Sequence, residues 1–189
     1  MNRALSNTDY HWVPRETFVL ELLQSGEIPT ELLVSARSAL ARANFLKGYG
    51  CAQSVLLAYA DLTGLDETTL AKLGSSFGGG MGRLREVCGG VSGAFAVLGL
   101  VCGYDDPTDK EGKSRHYADI RELARRFSER SRGNSIICRE LLTSAGLSGA
   151  SGGEAEARTP EYYKKRPCPD LVALAAEVLA EMLSEKGIL

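Results

Sequence analysis

Apolar residues recur at three- and four-residue intervals through most of this chain, as in Leu32, Ala36, Ala39, Leu40, Ala43 and Leu46, and again in Leu171, Leu174, Ala175, Val178, Met182 and Leu183. This is the spacing of one helix face, and no stretch alternates apolar with polar residues as a half-buried strand does. The expected fold is therefore all-α, a multi-helix bundle in one domain over 1–189. The pattern predicts helices over about 14–24, 30–47, 51–62, 66–73, 83–101, 114–130, 135–144 and 169–186. Pro14 suits a first helical position. The Asp105-Asp106-Pro107-Thr108-Asp109 run is a breaker, and the helix after it is expected to be a solvated outer element. Residues 146–160 are too poor in large apolar side chains to pack and are expected to form a mobile loop.

Charge narrows the partners. With 22 basic and 24 acidic residues the chain has no general attraction for nucleic acid or an anionic membrane. Residues through Arg15 are polar rather than an apolar signal core, and no window reaches the roughly 20 apolar residues of a membrane span. The expectation is a cytoplasmic protein whose thiols are kept reduced, so that its five cysteines pack, bind metal or cycle.

Thiolate is the reactive form of cysteine, and a helix N-terminus favours it through unpaired backbone N–H groups. Cys51 follows Gly50 at the start of an apolar helical run. Cys138 follows Asn134 and Ser135, either of which can cap a helix, and Cys168 precedes Pro169 with Lys165 and Arg166 close by. Cys88 and Cys102 fall on one apolar stripe with Leu84, Val87, Val91, Ala94, Phe95, Leu98 and Val101, facing the interior. Gly89 and Gly93 beside that stripe cost a helix about 1 kcal/mol each relative to alanine, which implies a close approach by a neighbour. Free cysteine is also a common small core residue, and Cys102, with no activating feature, is read that way. The long separations exclude a C-x-x-C motif.

Ser75 to Arg83 reads Ser-Ser-Phe-Gly-Gly-Gly-Met-Gly-Arg. Its backbone N–H groups could bind an anion beside Arg83 and Arg85, or it is a tight turn bringing the Cys88 helix to the Cys51 helix; the second reading is preferred. No strand precedes it and no lysine-serine pair follows, so nucleotide-binding fingerprints are unsupported. His11 and His116 sit among polar residues as surface histidines, Trp12 reads as a packing anchor, and no catalytic triad or paired-carboxylate arrangement is present.

The stretch Gly50-Cys51-Ala52-Gln53-Ser54-Val55, through Phe77-Gly78-Gly79-Gly80-Met81-Gly82, to Cys88-Gly89-Gly90-Val91-Ser92-Gly93-Ala94 resembles the redox-active protein family named for its C, GCAxxG, C, C cysteine pattern. Cys138 and Cys168 resemble its two final cysteines, and the likeness spans about 35–170. It implies a small, mostly helical protein that is redox-active or metal-binding. The chain departs from the name in reading Cys88-Gly89-Gly90-Val91-Ser92-Gly93 where the central element lies, and in adding Cys102.

Three functions compete. The first is a thiol-disulfide oxidoreductase or electron-transfer protein with Cys51, Cys88, Cys138 and Cys168 as catalytic residues, Cys51 and Cys88 being the first pair and Cys138 and Cys168 the second. It would meet a protein or small-molecule redox partner. The second makes the same four cysteines ligands to zinc or an iron–sulfur cluster, one from each of four helices. The third is a helical interaction or scaffold protein with inert core thiols, able to form a homodimer through an exposed apolar face.

Overall fold

The computed structural model describes residues 29–189. Nine helices follow in chain order among the described residues: α1 (Thr30–Leu46), α2 (Cys51–Leu57), α3 (Ala60–Thr63), α4 (Glu67–Ser75), α5 (Gly89–Cys102), α6 (Lys110–Arg130), α7 (Cys138–Ser144), α8 (Pro160–Lys165) and α9 (Cys168–Glu185). The only extended pairing among them is an isolated antiparallel bridge between Val87 and Ile137. The described residues form an all-α fold, as the periodicity implies. The expected helix over 14–24, His11 and Trp12 lie outside the described residues. No described helix is long and apolar enough to cross a membrane.

Helix α9 packs chiefly on α1 and also on α5, α2 and α6, while α5 lies against α2. Their shared interior contains Phe45, Val55, Val91, Leu98, Phe127, Val172 and Leu179, all without exposed surface. Burying side chains of this size contributes about 1.5–3 kcal/mol each. Helix α5 approaches α2 at backbone distance: a Cβ on Gly93 would stand 2.8 Å from the Ala52 carbonyl oxygen and 3.1 Å from Val55 Cβ. The close approach that Gly93 implied is thus contact between two helix backbones.

One buried charge ties three elements together. Arg37 of α1, 1% exposed, donates to both carboxylate oxygens of Asp61 at 2.5 and 2.7 Å and to the Ala58 carbonyl at 2.6 Å. Its guanidinium lies 4.8 Å above the Tyr59 ring, and the Tyr59 hydroxyl donates to the Ala176 carbonyl of α9 at 2.6 Å.

Several helix ends differ from the pattern. The predicted 51–62 helix breaks at Ala58 and Tyr59 into α2 and α3. Helix α6 starts before Ser114 because Asp109, the last residue of the breaker, caps it by accepting from Gly112 N–H at 2.7 Å. It buries Leu123 and Phe127 and lays its charged face along α9 through pairs such as Arg126–Glu185 and Arg130–Glu181. Helix α8 has no counterpart in the prediction: Thr159 accepts from Tyr162 N–H at 3.2 Å, and Pro160 fills the first turn. The largest correction concerns 83–101. That helix begins only at Gly89, Cys88 is its N-cap, and Leu84, expected on the buried stripe, is 59% exposed.

Candidate functional site

The glycine run folds into a turn of inverted handedness. Gly79, Gly80, Met81, Gly82 and Arg83 have φ values of 66°, 73°, 58°, 58° and 67°, and Arg85 adds 64°. Each non-glycine residue there costs about 1–2 kcal/mol, a local strain that the surroundings must hold in place. The hydrogen bonds that hold it include Met81 N–H to Phe77 O at 3.2 Å and Arg83 N–H to Gly78 O at 3.2 Å. Gly80 is indispensable for space as well as φ, since a Cβ there would stand 2.7 Å from Cys138 Cβ.

The chain leaves this turn beside the segment preceding α7. Cys88 N–H donates to Ile136 O at 2.8 Å, and Cys138 N–H donates to Glu86 O at 2.7 Å, on either side of the Val87–Ile137 bridge. Because side chains alternate along paired extended segments, Cys88 and Cys138 fall together on the face opposite Val87 and Ile137.

All four cysteines stand at helix starts. Cys51, Cys138 and Cys168 are the first residues of α2, α7 and α9, and Cys88 caps α5. Gly89 lets the first two helices of the site meet: a Cβ there would lie 2.8 Å from Cys51 Cβ and 2.8 Å from Phe77 O. This supports the tight-turn reading of the glycine run. Cys51, Cys88, Cys138 and Cys168 line one cavity of about 220 Å³, together with Arg83, Arg85, Arg158, Arg166, Glu156 and Tyr162. Cys102 is not among its walls; it ends α5 at the core's edge, near Lys186 and Asp119, and partial burial raises its pKa. His116 is likewise elsewhere, its ring 6.2 Å from that of Tyr104.

The thiols are electrostatically unequal. A hydrogen bond from the Cys168 thiol brings Cys51 from 9.0 down to about 7, against the upward pull of burial and with help from the Gly79 backbone and the Arg158 charge. The same bond holds the proton on Cys168 and, with burial, raises its pKa well above the ordinary value. Burial, followed by the charges of Cys51 and Cys138, pushes Cys88 up to about 12. Burial also raises Cys138, opposed by a hydrogen bond from Arg85. Cys51 is thus the thiol most biased toward thiolate, and the neighbour that most lowers its pKa is Cys168, whereas the sequence ranked Cys88 as its first partner.

Sequence reasoning passed over Arg158 and Glu156 because they lie in the glycine- and serine-rich stretch before α8. The signal available was Thr159-Pro160, a cap followed by a first-turn proline, which fixes the chain just after Arg158. That stretch is tied to the cavity: Arg83 Nε donates to Gly152 O at 2.9 Å and Arg85 Nε to Ala150 O at 3.1 Å.

A four-thiolate site for zinc or an iron–sulfur cluster needs its sulfur atoms disposed around one point. Among the described residues no group of three or more His, Cys, Asp or Glu side chains is arranged to hold a metal ion, so the four thiols do not fit such a centre as they stand.

A family model described as "Putative redox-active protein (C_GCAxxG_C_C)" matches residues 49–182. The chain belongs to this cysteine-patterned family, whose general character is redox activity. Comparison with curated proteins and with solved structures gives no significant match.

Proposed function

We propose that this protein is a thiol-disulfide oxidoreductase in which Cys51 is the attacking thiolate and Cys168 the resolving thiol. The observation that carries this reading is that Cys51 and Cys168, each the first residue of a helix, line one cavity, where the pKa of Cys51 is lowered to about 7 by Cys168 and that of Cys168 is raised. An attacking thiol works best with a pKa close to the ambient pH.

The exchange balances as follows. Cys51 Sγ attacks one sulfur of a substrate disulfide, forming a mixed disulfide and releasing the other half, which takes up a proton. Cys168 gives up its proton and attacks Cys51 Sγ, forming the Cys51–Cys168 disulfide and releasing the second half as a thiol. Two electrons pass from the thiolate–thiol pair to the substrate disulfide, one of the two protons taken up coming from Cys168 and the other from solvent, and an external dithiol returns the electrons by the reverse exchanges. Cys88 and Cys138, both raised in pKa, form the second dithiol, to which the disulfide can pass by internal exchange.

Reaction with one equivalent of a small disulfide, acid quenching and peptide mapping test this. The expected product is a Cys51–Cys168 link, and Cys168→Ser should trap the substrate half on Cys51. A Cys51→Ser protein that oxidises as fast as the wild type would sink the reading.

A further inference from the structure

The cavity that holds the thiols also carries an imbalance of charge. Four arginines line it, Arg83, Arg85, Arg158 and Arg166, against one acidic residue, Glu156. Arg83 and Arg166 share one oxygen of that carboxylate, Arg83 at 3.4 Å. Arg85 is buried and committed to the Ala150 carbonyl and to Cys138. Arg158 is the exception. It has no carboxylate partner among the described residues, and its guanidinium lies 4.6 Å from the Phe45 ring and 4.8 Å from the Tyr162 ring. Stacking on aromatic rings engages the faces of a guanidinium and leaves its in-plane N–H fork for a carboxylate. The charge of Arg158 is close enough to Cys51 to favour its thiolate.

Size points the same way. At about 220 Å³ the cavity is smaller than the roughly 300–1,000 Å³ of pockets for drug-sized ligands, so it suits a small molecule or its reacting half.

We infer that the cavity takes small disulfides bearing a carboxylate, with Arg158 anchoring that carboxylate while Cys51 attacks the adjoining disulfide, and with Arg83 and Arg166 adding to the positive field. This rests on Cys51 as the nucleophile and deepens that reading by naming a substrate class. The bonds made and broken are those of the exchange above; the carboxylate is held and undergoes no chemistry. Arg158 is a binding residue, and its effect is expected in the choice among substrates.

Three aliphatic disulfides of similar length provide the test: dithiodipropionate with two carboxylates, hydroxyethyl disulfide without charge, and cystamine with two ammonium groups. Second-order rate constants for mixed-disulfide formation at Cys51 in the Cys168→Ser protein, at low salt and neutral pH, should favour dithiodipropionate over hydroxyethyl disulfide by about tenfold or more, with cystamine slowest. Arg158→Ala should reduce that ratio by about tenfold, and Arg158→Lys, which keeps the charge but loses the planar fork, should recover only part of it. The ratio cancels any change in the nucleophilicity of Cys51. Because Arg158 is exposed, the variant is expected to fold, and its melting curve checks this. Equal rates for all three disulfides would overturn the substrate class while leaving Cys51 as nucleophile. A preference that survives Arg158→Ala unchanged would overturn the role of Arg158. Failure of all three to react at Cys51 would remove the nucleophile itself, and this inference with it.

Discussion

Helix α5 carries a cysteine at each end, and the two ends could hardly be less alike. Cys88 caps the N-terminal end, buried beside three other thiols, an inverted glycine turn and a set of arginines. Cys102 closes the other end at the margin of the core, with Lys186 and Asp119 as charged neighbours. Along the same helix Gly93 is pressed against the α2 backbone, whereas Gly99 meets nothing closer than His116 Nε2 at 4.0 Å. A cysteine in this protein is therefore not a site by itself. Its company decides, and that company is supplied by residues distant in the chain.

The largest contrast should be in activity. Cys51→Ser is expected to lower disulfide reduction by about 10³-fold or more, as loss of a covalent nucleophile does, while Cys102→Ser should change it by less than about twofold. Comparable losses from both would erase the difference between the two ends. A smaller but more specific contrast lies in pH dependence. Alkylation of Cys51 by iodoacetamide should rise with a midpoint near 7, and that of Cys102 with a midpoint above 9.0, measured by peptide mapping across the pH range. The sign for stability follows. A folded-state pKa lowered from 9.0 to about 7 means that the contribution of Cys51 is complete above 9.0 and is lost as pH falls through 7, so the stability gap between wild type and Cys51→Ser should widen from pH 7 to 9. A gap that narrows over this interval would contradict the thiolate assignment. The smallest effect sharpens the packing contrast. Gly93→Ala should cost about 1–3 kcal/mol in urea unfolding through overpacking, and Gly99→Ala should add about 0.5–1 kcal/mol through helix propensity. Equal shifts would mean that α5 is not pressed more tightly at one end.

The helical period was enough to read the class of fold and most of its elements, and local caps were enough to place Cys51, Cys138 and Cys168 near helix starts. Cys88 misled because Leu84, Val87, Cys88 and Val91 share one helical stripe. What overrides that stripe is pairing with a remote segment: Arg139 N–H donates to Arg85 O at 3.2 Å, and the bonds flanking the Val87–Ile137 bridge continue it. No local pattern announces such pairing. The arginine side of the cavity was hidden for another reason. Residues 146–160 lack the large apolar side chains by which packing is recognised, and their ties to the site are polar or cationic, among them the Ala150 and Gly152 carbonyls, the Glu156 carboxylate and the Arg158 guanidinium over Tyr162. The glycines were visible as an anomaly, and the preferred reading of them as a close-packing turn agrees with the contact between Gly89 and Cys51.

Cys51 and Cys168, the neighbour that lowers its pKa, lie more than half the chain apart, and this sets a clock during synthesis. Chain growth at ~5–20 residues per second puts on the order of ten seconds between the two cysteines leaving the ribosome's catalytic centre. During that interval Cys51 has no Cys168 beside it to lower its pKa, so under the proposed mechanism the attacking thiolate is expected only once the start of α9 docks.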